Sequence, residues 1–251
     1  MNCLLRKAAV VIMLSSAATA LYGQEVLPKY EFGVNLGMMV YAGDLTPRQL
    51  GAFETQKFTV GFHASKIINP VLLVKGSLVF GKLKGDDAVY SNPAFRQQRN
   101  FAFTSPVTEL TGQVVWNLAG SNYNEKGFAP YLFAGAGIAF LHIKRDWSRF
   151  NDQYFHDAPE IRAGLTADSA HDLPRIIPVI PVGAGIKYFF HPNWGVNAET
   201  SYRFTRSDYT DGFSQAANPD KKDKYFSYTI GVIYRTGSRG KNTLKCPVIK
   251  Y

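Results

Sequence analysis

Eight titratable residues share one face of the strands that the sequence predicts: Glu31, His63, Lys75, Glu109, Lys187, Glu199, Arg203 and Arg235. A glutamate beside a histidine could act as a general acid and base pair. Glutamates beside lysine and arginine would instead form ion pairs, which buried charges require in any case. We favour the second interpretation. It predicts a structural charge network with at least one Glu–Arg or Glu–Lys pair that uses Glu199 or Arg203.

Short motifs for known chemistries do not occur in the sequence. There is no G-x-S-x-G, no H-E-x-x-H, no Walker loop and no CxxC. An enzyme that modifies lipids would need a triad of polar residues close together, and the sequence reveals no such cluster. We therefore predict a protein that is not an enzyme, with no catalytic residue and no cofactor.

Residues that could bind a metal are dispersed. The histidines outside the network lie far apart, mostly in predicted loops or turns: His142, His156, His171 and His191. Asp86-Asp87 and residues 208–211 resemble acidic loop tips. Carboxylates at such tips form turns more often than they bind calcium, so no metal site is predicted.

The predicted network depends on a strand pattern that is clearest in Trp194–Thr205. Alternate residues there are apolar or aromatic, and those between them are small, polar or charged. Such alternation indicates a strand whose two faces meet different environments. Its length is close to the roughly 9–11 residues that a tilted membrane strand needs, and aromatic residues stand at both ends, as in outer-membrane barrels.

The alternation recurs seven more times, which predicts strands at 30–41, 58–66, 72–82, 108–118, 131–142, 180–190 and 225–235. An even number of strands closes a barrel with both chain ends on one side. Small residues on the second face suit the narrow lumen of an eight-stranded barrel, which side chains fill. The predicted fold class is all-β: an eight-stranded antiparallel transmembrane barrel of the OmpA or OmpW type.

Composition agrees with this class. Of 251 residues, 14% are aromatic, only 19% are charged and 22 are glycine. The body of the chain contains no apolar run of about 18 residues, so a helical membrane span is not predicted. The net charge of +9 could suit nucleic acid, but the basic residues are scattered and no nucleic-acid motif occurs.

The predicted connections alternate in length. Strands two and three, and six and seven, are joined by a few residues around Asn69-Pro70 and His191-Pro192-Asn193, and residues 119–129 join strands four and five. The other connections, at 42–57, 83–107, 143–179 and 205–224, are longer. Short periplasmic turns and long extracellular loops are typical of outer-membrane barrels.

The N-terminus predicts an exported protein. Arg6 and Lys7 precede a short apolar run, and small residues follow it, as in a secretory signal peptide. We assign residues 1–23 to the signal peptide, 24–236 to the barrel and 237–251 to a basic periplasmic tail. The predicted location is the outer membrane, with both termini in the periplasm.

The tail has two interpretations. It contains no acidic residue, and its candidate partner-binding residues are Arg239, Lys241, Lys245, Cys246 and Lys250. It could be a solvated, disordered end. It could also dock on an acidic periplasmic partner, where its charge would speed encounter and its apolar residues would add contact.

Several short motifs resemble a known family when taken in order: Gly43-Asp44-Leu45-Thr46-Pro47; Gly85-Asp86-Asp87 followed by Asn92, Arg96, Arg99, Asn100, Phe103 and Glu109; Ala129-Pro130-Tyr131-Leu132-Phe133-Ala134-Gly135; Ile180-Pro181-Val182-Gly183-Ala184-Gly185-Ile186-Lys187-Tyr188; and Arg203-x-Thr205-x-x-Asp208-Tyr209-x-Asp211. Together they resemble the PorG-like outer-membrane barrels of Bacteroidetes across nearly all of the mature chain. The resemblance implies a component of the type IX secretion machinery that contacts its periplasmic ring.

The expected function is therefore a non-catalytic outer-membrane barrel that serves a secretion system as a structural or assembly component. The alternative is a small OmpA- or OmpW-like barrel whose loops bind external partners or whose lumen passes small solutes. The expected partners are outer-membrane lipid and the periplasmic ring proteins.

Overall fold

A computed structural model describes residues 27–48, 51–205, 207–217 and 223–237. The signal peptide and the tail residues Arg239, Lys241, Lys245, Cys246 and Lys250 lie outside this part of the chain. The strands are β1 (Pro28–Ala42), β2 (Lys57–Ile67), β3 (Leu72–Asp86), β4 (Ala102–Asn117), β5 (Gly127–Leu141), β6 (Lys144–Asp146), β7 (Ile176–His191), β8 (Trp194–Thr205) and β9 (Lys224–Gly237). The helices are α1 (Phe95–Arg99) and α2 (Pro159–Ala170), with short 3-10 turns at Phe53–Thr55 and Asp87–Val89.

Eight of these strands form a closed antiparallel barrel, which confirms the predicted fold class. The strand order is β3-β2-β1-β9-β8-β7-β5-β4, and pairing of β3 with β4 closes the ring. The short β6 adds to the end of β4 outside the ring. A closed ring leaves no unpaired strand edge, so the backbone polar groups are satisfied within the sheet.

The two faces of the barrel differ as the alternation predicts. On β1, Phe32, Val34 and Leu36 are almost half exposed on the outside, whereas Glu31 and Asn35, at alternate positions, are buried. The other strands repeat this arrangement. An exterior of contiguous apolar side chains is unfavourable in water and favourable in a bilayer, so the barrel has the surface of a membrane-spanning protein.

Aromatic residues border this apolar band at both ends. At the end with short turns, Trp194 contacts Tyr234, with ring centroids 5.0 Å apart. At the other end, Tyr202 contacts Phe204, also at 5.0 Å. Rings with one apolar and one polar side suit the two membrane interfaces.

The strand ends differ from those predicted. β8 has the predicted bounds, but β3 extends to Asp86 and β4 begins at Ala102, because these two strands stay paired beyond the apolar band. Gly237, which the sequence analysis assigned to the tail, is the last residue of β9 and pairs with Pro28. The long connection at 143–179 contains β6 and α2 rather than irregular chain only.

Side chains fill the interior. At the short-turn end, an apolar cluster contains Ile67, Leu73, Val115, Tyr131 and Phe133. At the opposite end, a larger cluster combines residues of the strands with residues of the long connections. The charged residues of the lumen extend from the short turns to the edge of the larger cluster. Within the described part of the chain, neither helix is long and apolar enough to cross a membrane.

Candidate functional site

A first charge cluster lies in the lumen near the short turns. Glu31 on β1 is fully buried and pairs with Lys187 on β7 and with Arg235 on β9, whose Nε lies 3.0 Å from a Glu31 oxygen. The Arg235 guanidinium stacks 3.2 Å from the ring centre of Phe189 and donates to the carbonyl of Asn124. Two cations therefore share one carboxylate across three strands.

A second cluster crosses the middle of the lumen. Glu199 on β8 accepts hydrogen bonds from Lys75 Nζ (2.7 Å) and from the Tyr131 hydroxyl (2.8 Å). Lys75 also lies 4.3 Å from the ring centre of Phe133. The His63 ring packs over Gly33, and it makes no hydrogen bond to a described glutamate.

A third cluster lies nearer the long loops. Glu109 on β4 accepts from Arg203 Nε at 3.1 Å and from the Tyr225 hydroxyl at 3.0 Å. Arg203 also donates to Ser227 Oγ and to the carbonyl of Ser201. Glu109 and Arg203 thus have each other as ionic partners and neutral hydrogen-bond partners besides, which is what charges require in an interior.

The long connections form a compact cap over the end of the barrel that lies beyond these clusters. We define the cap as the described residues of the connections β1–β2, β3–β4, β5–β7 and β8–β9. Leu45, Phe101, Leu165 and Phe213 project from the cap into the mouth of the barrel and are buried. The rings of Phe101 and Phe213 stack with centroids 4.6 Å apart.

Two arginines of α1 hold the first half of the cap together. Arg96 and Arg99 both bind the Asp87 carboxylate, with Arg99 Nε 2.7 Å from Oδ2 and Arg96 Nη1 2.8 Å from Oδ1. The same two guanidinium groups donate to the backbone carbonyl of Asp44, and Arg96 also reaches that of Thr46. This network ties α1 to the connection that follows β1.

Asp168 of α2 holds the second half. Its carboxylate accepts from the backbone N–H groups of Ser214, Gln215 and Ala216 at 3.0–3.1 Å and from the Tyr209 hydroxyl at 3.3 Å. Gly164 is one turn earlier, and a Cβ there would collide with the backbone of Gln215. The helix therefore docks closely on the last connection.

Two further carboxyl groups meet at Tyr41, beneath the cap. Its hydroxyl oxygen lies 2.6 Å from Asp211 Oδ2 and 2.5 Å from Asp223 Oδ1. The other Asp223 oxygen accepts the N–H groups of Thr210 and Asp211, and the other Asp211 oxygen accepts that of Phe213. One hydroxyl hydrogen cannot serve two ionised carboxylates, so the arrangement holds an additional proton on one of them.

The physical surroundings favour that proton. Burial raises the pKa of Asp223 well above its usual range, and the Asp211 carboxylate next to it adds to the effect. Burial raises the pKa of Asp211 in the same direction, with further contributions from Asp44 and Asp208. The hydrogen bonds from Tyr41 oppose these effects without cancelling them.

Two carboxylates of the acidic segments cap turns, since Asp86 accepts from the N–H of Ala88 and Asp211 from that of Phe213. Asp87, Asp208 and Asp211 are buried. Two arginines pair with Asp87, the Ser214 hydroxyl donates to Asp208, and the Tyr41 hydroxyl and a backbone N–H group donate to Asp211. Sequence reasoning missed the cap because its contacts join distant parts of the chain. The signal that could have found it is the presence of large apolar residues, such as Leu45, Phe101 and Phe213, in segments that otherwise have the composition of loops.

No metal centre is formed by the described residues, which contain no group of three or more His, Cys, Asp or Glu side chains that could hold an ion. The dispersed histidines stay apart. His171 stacks on Tyr209 with ring centroids 3.9 Å apart, and His156 lies beside Asp157 on the exposed surface of the cap. His142 follows β5, whereas His191 ends β7 at the opposite end of the barrel.

Comparison with known proteins identifies one family and one group of structures. Residues 6–236 match the model of a family described as a domain of unknown function, DUF6089. No curated protein matches the sequence. Among solved structures, the chain is similar to Ail, the attachment invasion locus protein of Yersinia pestis, with 14% identity, a TM-score of 0.39, and 83% of this chain and 99% of that chain covered.

Two further barrels show the same level of similarity. Neisserial surface protein A is 12% identical, with a TM-score of 0.45 over 82% of this chain and 97% of that chain. The outer-membrane protein OprG of Pseudomonas aeruginosa is 10% identical, with a TM-score of 0.44 over 85% of this chain and 99% of that chain.

Proposed function

Since the chain belongs to the DUF6089 family, whose description assigns no function, we propose a function from the structure: a non-catalytic, closed β-barrel of the outer membrane that acts as a structural component of an envelope assembly. The observation that carries the proposal is the combination of an apolar exterior with an interior that is packed at both ends.

The packed interior supports a scaffold rather than a channel. Small eight-stranded barrels have lumens that side chains can fill. Here three charge clusters occupy the lumen, and the cap buries four large apolar side chains in one mouth. Diffusion of a solute would require several of these contacts to break together, so the barrel is expected not to conduct.

The proposed orientation places the cap outside the cell and the short turns in the periplasm. The signal peptide assigned to residues 1–23 supports export, and the long connections on one side support the orientation. Both termini would then be periplasmic, and the basic residues that follow β9, at 238–251, would be available to periplasmic proteins.

The resemblance to PorG-like barrels supports a role in protein secretion. On that proposal the barrel anchors the periplasmic ring of a type IX system to the outer membrane, and the tail contributes to the contact. Deletion of the gene in the native host should then abolish secretion of type IX substrates. A chain truncated at Gly237 should restore the barrel but not full secretion.

A second candidate function is binding of an external partner by the cap. The observation that favours it is the folded surface of the β5–β7 connection, where Tyr154 is exposed although it packs on the buried Phe155. An ordered surface loses less conformational entropy on binding than a flexible loop does. A deletion strain that secretes normally but no longer binds an external partner at the cell surface would favour this candidate.

The direct test of the scaffold proposal uses the expressed precursor. The protein should fractionate with outer membranes, and unboiled samples should migrate differently from boiled ones because the closed barrel resists detergent. The same preparation should give no conductance steps in planar bilayers. Recovery as a soluble periplasmic monomer would contradict the proposed location, and regular conductance steps would contradict the closed lumen.

A further inference from the structure

Lysine residues stand on the outer surface of the barrel where the apolar band ends below the cap. On β3 the outward residues in order are Phe80, Lys82 and Lys84, and on β5, which lies beyond β4, the outward Phe140 precedes the connection to β6. The sheet register aligns Lys84 with Thr104 and Thr104 with Lys144 of β6. Neighbouring strands are about 4.8 Å apart, so Lys84 and Lys144 are about 10 Å apart across β4.

Part of this positive charge is not compensated. Lys84 Nζ pairs with Asp86 at 3.1 Å, whereas neither Lys82 nor Lys144 has an ion-pair partner among the described residues. The acids Asp86 and Asp146 align with each other through Ala102, one row farther from the apolar band. Lys82 aligns with Pro106, one row nearer the apolar band than Lys84 and Lys144. The three lysines therefore lie between the acids and the hydrocarbon-facing surface.

We propose that Lys82 and Lys144 bind the phosphate groups of a phosphorylated lipid in the outer leaflet. The proposal rests on the membrane insertion and orientation described under the proposed function. Lysine can bury its aliphatic stem along apolar surface and extend its ammonium group to the level of the headgroups. Basic clusters at that level attract anionic lipids, and a soluble ligand would have no need for the apolar surface directly beneath.

The surface beneath the lysines fits acyl chains. Small outward residues align across four strands, from Ala64 through Gly76 and Gly112 to Ala136. No heavy atom lies within 4 Å of the place where a Cβ of Gly112 would stand. Together with Phe62 and Leu78, Ala64 and Gly76 line one end of a shallow groove of about 720 Å³ on the outer surface, which continues across β1 and β9 to Trp194.

The distance from the lysines to this groove matches one leaflet. Six residues separate Gly76 from Lys82, which is about 20 Å along the strand. With a strand tilt of about 45°, this spans about 14 Å along the membrane normal, close to half of the roughly 30 Å hydrocarbon core. A lipid whose phosphate meets Lys82 would therefore end its acyl chains near the groove.

The test is lipid binding by the chain refolded in zwitterionic detergent, a preparation that carries no native lipid. The probe is bisphosphorylated lipid A, and bound lipid is counted by native mass spectrometry. We expect K82Q/K144Q to bind about thirtyfold more weakly, since each basic residue at an anionic surface contributes about a fivefold factor. The matched control is K66Q/K126Q, which removes two exposed lysines at the opposite end of the barrel and should bind like the unaltered protein.

Two further measurements distinguish a lipid phosphate from free phosphate as the ligand. Lipid A without phosphates should bind the unaltered protein weakly, with the affinity that bisphosphorylated lipid A has for K82Q/K144Q. Inorganic phosphate at millimolar concentration should not displace lipid A from the unaltered protein. Equal binding with and without phosphates, or equal binding by K82Q/K144Q and the control, would overturn the inference. Displacement by inorganic phosphate would overturn the lipid part and leave a simple anion site.

Folding is checked on the same samples by the mobility shift of unboiled protein. If K82Q/K144Q does not fold, the single variant K144Q takes its place, with about fivefold weaker binding expected. If the unaltered protein shows no shift, the proposed barrel function fails. If it shows the shift but binds without regard to the lysines, only the present inference fails.

Discussion

Glu109 is a carboxylate inside the barrel whose cost of burial is offset by an arginine and a tyrosine. Arg203 Nε lies 3.1 Å from one oxygen and the Tyr225 hydroxyl 3.0 Å from the same oxygen. Both members of the ion pair are almost fully buried. Removing one member leaves the other as an unpaired buried charge, which is far less favourable than removing both.

We expect Arg203→Gln to lower the free energy of unfolding by about 3–5 kcal/mol. The double variant E109Q/R203Q should lose less than the sum of the single variants, since the two sites are coupled. Denaturant unfolding of the refolded barrel, followed by tryptophan fluorescence, measures both. The control is Arg162→Gln, whose partner Asp152 is exposed and whose loss should cost no more than about 1 kcal/mol. An unchanged stability of R203Q would refute the assignment of this pair.

The carboxyl groups at Tyr41 give the cap a pH dependence. Because burial raises the pKa of Asp211 and of Asp223, the folded cap holds a proton that an unfolded carboxyl, with a pKa near 3.9, would release. The contribution to stability is therefore complete below about pH 4 and is lost as the pH rises through the folded-state pKa. The cap should open more readily in alkaline solution.

Asp211→Asn should weaken this dependence. The Asn amide can donate to the Tyr41 oxygen and leave the hydroxyl hydrogen for Asp223, and the charge of Asp211 no longer raises the pKa of Asp223, although burial still does. Hydrogen exchange of residues 207–217, corrected for the intrinsic rate at each pH, should show protection that falls with pH in the unaltered protein and falls less in D211N. Tyr41→Phe is the control: it removes the hydroxyl that bridges the two carboxyls and should lower protection at every pH. Equal slopes for the unaltered protein and D211N would be inconsistent with a shared proton.

At the scale of elements, the strands were predictable and the cap was not. Alternation identifies Trp194–Thr205 with both ends correct, because that strand is immersed in two contrasting environments along its whole length. Beyond the apolar band the outer face meets water, the alternation weakens, and β3 and β4 extend past the predicted ends at 82 and 108. The cap depends on contacts such as Asp168 with Ala216, which no local pattern encodes.

The docking of α2 can be tested through Asp168. Asp168→Asn turns an amide N–H₂ group toward backbone N–H donors. The free energy that holds α2 on the β8–β9 connection should fall by about 1.5–3 kcal/mol, the value of a hydrogen bond to a charged group. Limited proteolysis within residues 207–217 should then be roughly tenfold faster or more. Asp157→Asn, at an exposed position of the same connection, is the matched control. Equal cleavage rates of D168N and D157N would show that Asp168 does not hold the cap.

For the whole molecule, parity predicted which charges face the lumen but not how they pair. The partner of Glu199 is Lys75, 124 residues away in sequence, and which strands face each other across the lumen depends on the stagger of the closed sheet. The pairing of Glu31 with two cations has the same origin. The sequence therefore predicts that the interior is charged and which residues face it, but the ion-pair partners are known only from the closed barrel.

The outer face of the strands is expected to contact lipid, while the inner face is packed. Spin labels on single cysteines along β8, in a Cys246→Ser chain that lacks residues 1–23 and is reconstituted in liposomes, test this arrangement by their collisions with oxygen and with a water-soluble nickel complex. Labels at the outward positions Val196 and Ala198 should collide with oxygen and not with nickel, whereas a label at the inward Asn197 should be shielded from both. Outward labels that collide with nickel as freely as labels in the exposed turn at Glu125 would contradict this expectation, because the apolar face would then lie in water.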